Sequence, residues 1–387
     1  MDVISLDDEF THKIITPTHK IITPRGAELV SNHDSTVVST NEQVSNTFDS
    51  IIYNIKRIVA RYGVDDDEWA KAISSQYFLL CLAEKLHHKD EDYKNLLNKC
   101  LSDFRITYDG RLILDNDSLL ITPDETTRIM DCMKKEDLSD GYYRKYARTR
   151  ADNIDGQRMY INFHYGLLIK IVSSEDTDTL RAIKHTCLDN LLNEKSIDFY
   201  GGWYPYRVPW ITARILISLK SIDYSSYSNS DNVNKAVKKA LRSLYQRIYE
   251  KAPYWRSGVG NWVSKWESTA LCLEALYVWE DIEAQKKQIE KIINYIFYEE
   301  NKVEWLNNNI SFENEEIANR ILASVILASV VTRITKKHFP LIYQRYADEI
   351  VMFFKNVIEF ILNQNVKVVL QYCTVPQILY YVLIAME

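Results

Sequence analysis

The sequence predicts an all-α fold assembled from repeated helix units. Three observations carry that prediction. Only 10 of the 387 residues are glycine and none follows Gly260, so the last third of the chain lacks the commonest helix breaker. Helical signals dominate from Val44 onward. Two segments also repeat each other: Thr212–Leu219 and Thr269–Leu276 both read TAxxLxxL, 57 residues apart.

Composition sets the outer limits. Hydrophobic residues at 46% and charged residues at 26% are values of a globular chain with a real core. A net charge of −6 argues against nucleic acid as a partner, because counterion release needs clustered cations. The longest basic runs are pairs such as Lys134-Lys135, Lys238-Lys239 and Lys336-Lys337, which read as solvated helix faces. The six cysteines, at 81, 100, 132, 187, 272 and 373, show no CxxC spacing, and several, such as Cys81 and Cys272, fall in apolar helical patterns. Reduced core thiols and a cytoplasmic location are expected. The adjacent pair His87-His88 points two ways on a helix, so no metal site of His and Cys is expected. Asp7, Asp8 and Glu9 interrupt the first apolar stretch, which speaks against a signal peptide. The most apolar segment, Ile321–Val331, ends at Arg333 and is short of the roughly 20 residues that span a bilayer, so a buried helix is expected.

The elements follow in order. Residues 11–17 read THKIITP and 18–24 repeat it, with a polar stretch continuing to Ser45. Residues 1–45 are therefore expected as a flexible low-complexity tail or a partner-docking peptide, and 46–387 as a single domain. Asp65-Asp66-Asp67-Glu68 place acids at a helix start before the run Trp69–Leu86. Residues 104–114 alternate around Asp109-Gly110 and predict one short β-hairpin. Thr122-Pro123-Asp124-Glu125 restarts a helix as N-cap, N1 proline and capping-box glutamate. Breaks are expected near Pro340 and Pro376. Glu315–Val331 and Leu370–Ile384 read as apolar stripes that close the assembly and do nothing more.

The repeat unit has a physical logic. An aromatic, glycine-containing loop precedes each Thr-Ala helix: Gly201-Gly202-Trp203-Tyr204-Pro205-Tyr206-Arg207 before one and Gly258-Val259-Gly260-Asn261-Trp262 before the other. A weaker copy, Tyr165–Val172, lies 47 residues before Thr212. One unit cannot bury its apolar stripe alone, so successive units must stack. Closed stacking gives a barrel of inner and outer helices, with the inner-helix N-termini ringing one mouth.

These residues resemble the α/α-toroid repeats of the terpenoid cyclase and prenyltransferase superfamily. Residues 203–276 are similar to the later repeats of bacterial class II diterpene cyclases, with Glu267-Ser268-Thr269-Ala270 standing for their Glu-x-Thr-Ala, and a fainter periodicity runs over 155–385. The resemblance implies an α/α toroid and an isoprenoid diphosphate cyclised through a carbocation by an isomerase or lyase. It further implies no cofactor, or Mg²⁺ arriving with the diphosphate. The chain departs from the family in lacking DxDD and DDxxD. Its nearest string is Asp115-Asn116-Asp117-Ser118, followed by Leu119-Leu120 in place of Thr-Ala.

Aligned on Thr269-Ala270, Glu267 takes the place of the family's proton donor, and Asp117 is the second candidate acid. A carboxyl pushed into an aromatic cavity keeps its proton, as alkene protonation requires. The other reading of Glu267 is a half-exposed first-turn acid favoured by the helix dipole. Trp203, Tyr204, Tyr206, Trp210, Trp255, Trp262 and Trp266 are candidate substrate-binding aromatics, by cation–π attraction to a carbocation. Packing of helix ends is their other use. Arg207, Arg214 and Arg256 are candidates to grip a diphosphate, with surface ion pairs as the alternative. Against the cyclase stands a function of another class: a non-enzymatic binding protein, such as an acidic helical immunity protein against a basic nuclease toxin. A toroid carrying lipid or peptide unreacted is a third reading. The lining of the interior discriminates, since a cyclase needs an aromatic cavity with an acid pointing in, whereas a binding protein's barrel can be filled.

Overall fold

The structure, a computed structural model, describes parts of 47–58, 77–86 and 166–173, together with 178–192, 197, 201–203, 208–249, 252–256, 264–307, 310, 315–363 and 375–387. All of these lie in one compact unit, Gln43–Glu387. The tail to residue 45, the acids 65–68, the hairpin at 104–114 and the Thr122 helix start lie outside the described residues, as do Asp117, Tyr204, Tyr206, Arg207 and Trp262.

The described residues are predominantly helical. After helical positions at 49–58, 77, 78, 81, 82 and 84–86 come α1 (Asp178–Leu192), α2 (Pro209–Lys220), α3 (Ser230–Gln246), α4 (Lys265–Val278) and α5 (Lys286–Ile296). They are followed by α6 (Glu299–Trp305), α7 (Glu315–His338), α8 (Pro340–Asn363) and α9 (Val375–Met386). Extended pairing among the described residues is limited to two isolated antiparallel bridges, Ile197 with Trp203 and Ile248 with Trp255.

Two kinds of helix alternate along the chain. In α2 every residue from Pro209 to Leu219 is buried except Ile217, and in α4 burial is unbroken from Trp266 to Leu276. The α9 helix is buried from Val375 to Ala385, with Tyr380 alone half-buried. Such helices are enclosed on all sides. By contrast α3 buries only Val233, Ala236, Val237, Ala240, Ser243 and Leu244, and α5 only Ile289, Ile292, Ile293 and Ile296. Those spacings mark one stripe on an otherwise solvated cylinder. At 11 residues α5 is below the roughly 12–15 at which an isolated helix becomes marginal, so its stripe must be covered for it to form. Each buried isoleucine contributes about 1.5–3 kcal/mol to that docking.

The enclosed helices pack on one another: α4 lies against both α2 and α7, and α7 against α9. The one-sided α3 lies against α2, and α8 against α7. Trp279, at the C-cap of α4, donates its indole N–H to the Leu216 carbonyl in the second half of α2 at 2.8 Å. The C-terminal ends of α4 and α7 also lie together, with the rings of Tyr277 and His338 6.3 Å apart. Two further contacts involve the earlier helical positions. Phe78 meets Tyr380 and Tyr381 of α9, and Glu84 pairs with Lys170 at 2.8 Å.

Local signals place the ends. Pro340, which has no N–H to give, separates α7 from α8 after Phe339, at the expected break. The α7 segment Ile317–His338 is long and apolar enough to cross a membrane by length and composition, but 78% of its most apolar window is buried inside the protein. The neighbours of α7 are α4, α6, α8 and α9.

Candidate functional site

The aromatic loops and the Thr-Ala helices meet in a repeated junction. The backbone N–H of Trp203 donates to Thr212 Oγ1 at 2.9 Å, and its indole N–H donates to the Leu191 carbonyl in the last turn of α1 at 2.9 Å. Trp255 does the same one unit later, to Thr269 Oγ1 at 3.1 Å and to the Leu244 carbonyl of α3 at 2.7 Å. Trp305 continues the series with an indole bond to the Ile296 carbonyl, the last residue of α5, at 3.0 Å. Helix C-termini leave carbonyls without intrahelical donors, and each indole satisfies one of them inside the protein. Space here is tight: a Cβ on Gly202 would stand 2.8 Å from Thr212 Oγ1, Ser243 Oγ and Arg247 Nη2. Only glycine fits.

Glu267 is 2% exposed, so the half-exposed first-turn reading is corrected. It occupies the third position of α4, and its N–H donates to the Ser264 side-chain oxygen at 3.1 Å. Ser264-x-x-Glu267 has the spacing of a capping box. Trp266 beside it is turned to other partners: its indole donates to Glu304 at 3.0 Å, and Lys265 Nζ lies 4.5 Å from its ring centroid. Trp203, Trp255 and Trp266 are thus each committed to a different set of helices. Trp210 is buried at the start of α2.

The arginine candidates separate. Arg256 is exposed, with its guanidinium 3.7 Å from the Tyr249 ring centroid. Arg214 is 1% exposed, which corrects the surface ion-pair reading. It points into a polar network joining four of the enclosed helices. Arg214 of α2 donates to Tyr381 Oη of α9 at 3.3 Å and lies 5.2 Å from the Phe78 ring centroid. Tyr381 donates to Glu274 Oε2 of α4 at 2.7 Å, and Arg333 of α7 donates to Glu274 Oε1 at 3.0 Å. Glu274 is 2% and Tyr381 1% exposed.

Burial governs the electrostatics. It raises the phenol of Tyr381 well above its ordinary value, and raises Tyr380 and Tyr77 in the same way. At neutral pH Tyr381 is a proton donor to Glu274. Burial works against the charge on Arg333 and is the largest single influence on it, but the charge and hydrogen bond of Glu274 together with Tyr380 and Tyr381 outweigh it, and its pKa rises. Cys81 nearby is pushed up to about 12 by burial, so it is a thiol and not a nucleophile. The three described cysteines, Cys81, Cys187 and Cys272, are all free and buried. Among the described residues no group of three or more His, Cys, Asp or Glu is placed to hold a metal ion.

Glu274, Arg333 and Tyr381 carry this network, and sequence reasoning passed over all three. The reading of Leu370–Ile384 as an apolar stripe and nothing more is corrected, since it supplies Tyr381, while Arg333 stands on α7 two residues beyond the stripe expected at Glu315–Val331. One signal was present. Glu274 follows Leu271-Cys272-Leu273 inside an enclosed helix, and a buried carboxylate demands a partner. The chain matches no known protein family, no curated protein and no solved structure.

Proposed function

We propose that the chain is a non-catalytic binding protein built on an α/α toroid whose interior is filled with side chains and whose outer surface meets a protein partner. The toroid is supported by successive pairings. A Cβ on Gly166 would stand 3.0 Å from Ile215 of α2, α2 packs on α4, α4 on α7, and α7 on α9. Phe78 touches α9, and Glu84 returns to Lys170, four residues after Gly166.

One observation carries the binding reading: the Arg214–Tyr381–Glu274–Arg333 network occupies the region where these helices converge. A carbocation cyclase needs that region open and lined by aromatic faces. Here paired charges and a phenol fill it, while Trp203 and Trp255 are spent on helix ends. A second reading, a terpenoid cyclase with Glu267 as its acid, is favoured by the burial of that side chain in the first turn of α4.

Incubation with geranylgeranyl and farnesyl diphosphates, with and without Mg²⁺, separates the two. No cyclised product is expected. Product that falls about a hundredfold or more in Glu267→Gln, with helicity unchanged, would overturn the binding reading and make Glu267 the acid.

A further inference from the structure

Outside the helix junctions, a groove of about 890 Å³ opens between two segments. One wall is Ile248, Tyr249, Ala252 and Pro253, and the other is the turn and first half of α5 from Glu283 to Lys291. The first wall is preformed. Ile248 bridges Trp255, the Tyr249 N–H donates to the Tyr254 carbonyl at 2.8 Å, and Arg256 covers the Tyr249 ring. A wall ordered in advance lowers the entropic cost of binding.

The second wall is charged, and its ion pairs leave a cationic remainder. Glu283 is engaged by His338 at 2.6 Å and by Lys286 at 3.3 Å. Lys287 and Lys291 line the groove, are exposed, and have no acidic partner among the described residues. They stand four residues apart on α5, so their Cβ atoms are about 5–6 Å apart on one face. Glu290 is the remaining acid of the described lining. The chain as a whole is acidic, but screening over about 8 Å at physiological ionic strength lets this local excess decide short-range contacts.

We propose that this groove binds an extended acidic peptide segment of a protein partner, reading the pattern acid–apolar–acid. In an extended chain alternate side chains share a face and repeat after two residues, about 6.5 Å. That spacing sets two carboxylates against Lys287 and Lys291. The residue between them turns the opposite way, onto Ile248, Ala252 and Pro253. Charge-assisted bonds then supply specificity and the apolar contact supplies burial. The inference rests on the binding-protein reading and names the partner chemistry of one of its surfaces.

The test is an anisotropy titration of the full chain with a fluorescein-labelled Gly-Asp-Leu-Asp-Gly peptide. Saturable binding is expected, weakened about tenfold or more in Lys287→Glu/Lys291→Glu and for a Gly-Asn-Leu-Asn-Gly peptide. Both lysines are exposed, so the double variant should melt with the wild type. Absence of saturable binding overturns the groove. So does binding that the double variant leaves intact, which would move the peptide to another surface while keeping the binding-protein reading. Displacement by inorganic phosphate at equal concentration would mark a small-anion site and overturn the peptide assignment. Isoprenoid turnover, scored separately, is what tests the reading beneath it.

Discussion

At the residue scale, Thr269 and Trp255 act as a pair. The threonine hydroxyl receives the Trp255 backbone N–H, and the indole then reaches the end of α3. Both Thr269 and Trp255 are wholly buried. Thr269→Val keeps the volume but removes the acceptor, so a backbone N–H is left unsatisfied away from water. That should cost about 1–3 kcal/mol, measured as a shift of the urea midpoint at constant slope. Thr212→Val should cost a similar amount, because Trp203 repeats the geometry. A change below about 0.5 kcal/mol in both would mean that the junction is held by packing alone. Glu267 sits at the same junction, and its burial is what keeps the acid reading testable.

At the element scale, the end of α4 departs from what its backbone favours. Glu280 has φ 57°, the left-handed conformation that glycine adopts freely and other residues adopt at a cost. The Asp281 N–H donates to the Leu276 carbonyl at 2.9 Å and the Glu280 N–H to the Tyr277 carbonyl at 3.0 Å, which together are a Schellman ending. Here the motif is made without its usual glycine. Glu280→Gly should therefore stabilise the protein by about 0.5–1 kcal/mol after the added freedom of the unfolded chain is subtracted. Calorimetry should show a higher melting temperature, and a lower one would show that the Glu280 side chain contributes more than its conformation costs. The same helix explains the low glycine count. Ends are closed here by indoles and by a strained glutamate, so glycine scarcity does not mean unbroken helix.

At the scale of the whole molecule, the buried network ties α2, α4, α7 and α9 through one carboxylate. Removing either partner of a buried ion pair costs far more than the pair contributes, because the other charge is left uncompensated. Tyr381 and the nearby phenols of Tyr77 and Tyr380 give the fold an alkaline limit. Tyr77, Tyr380 and Tyr381 have folded-state values above the ordinary 10.0, because burial disfavours the charged form. An acid whose value is raised on folding contributes stability that is complete below its unfolded value and is lost as pH climbs above it. Stability should therefore decline above about pH 10. In a titration followed by tyrosinate absorbance and helicity together, exposed phenols should ionise first, and the buried ones only as helicity collapses. Full ionisation of all 26 tyrosines with helicity intact would refute the enclosure of Tyr77, Tyr380 and Tyr381.

Helical class was legible in the sequence because it depends on local spacing. The TAxxLxxL repeat marked α2 and α4, and Pro340 marked the break between α7 and α8. The aromatic residues were also found, but their duty was open. A tryptophan before a helix can face a cavity or a carbonyl, and only the position of the preceding helix decides. For Trp203 and Trp255 it put a carbonyl within 2.9 and 2.7 Å. The network lay beyond reading for the same reason. Arg214, Glu274, Arg333 and Tyr381 are spread over 167 residues, with no motif to join them. Sequence by itself determined which stretches coil and which faces are apolar, since those follow from nearest neighbours along the chain. Tertiary structure alone decided which charges meet, because pairing in a buried interior depends on through-space distance, which sequence separation does not encode.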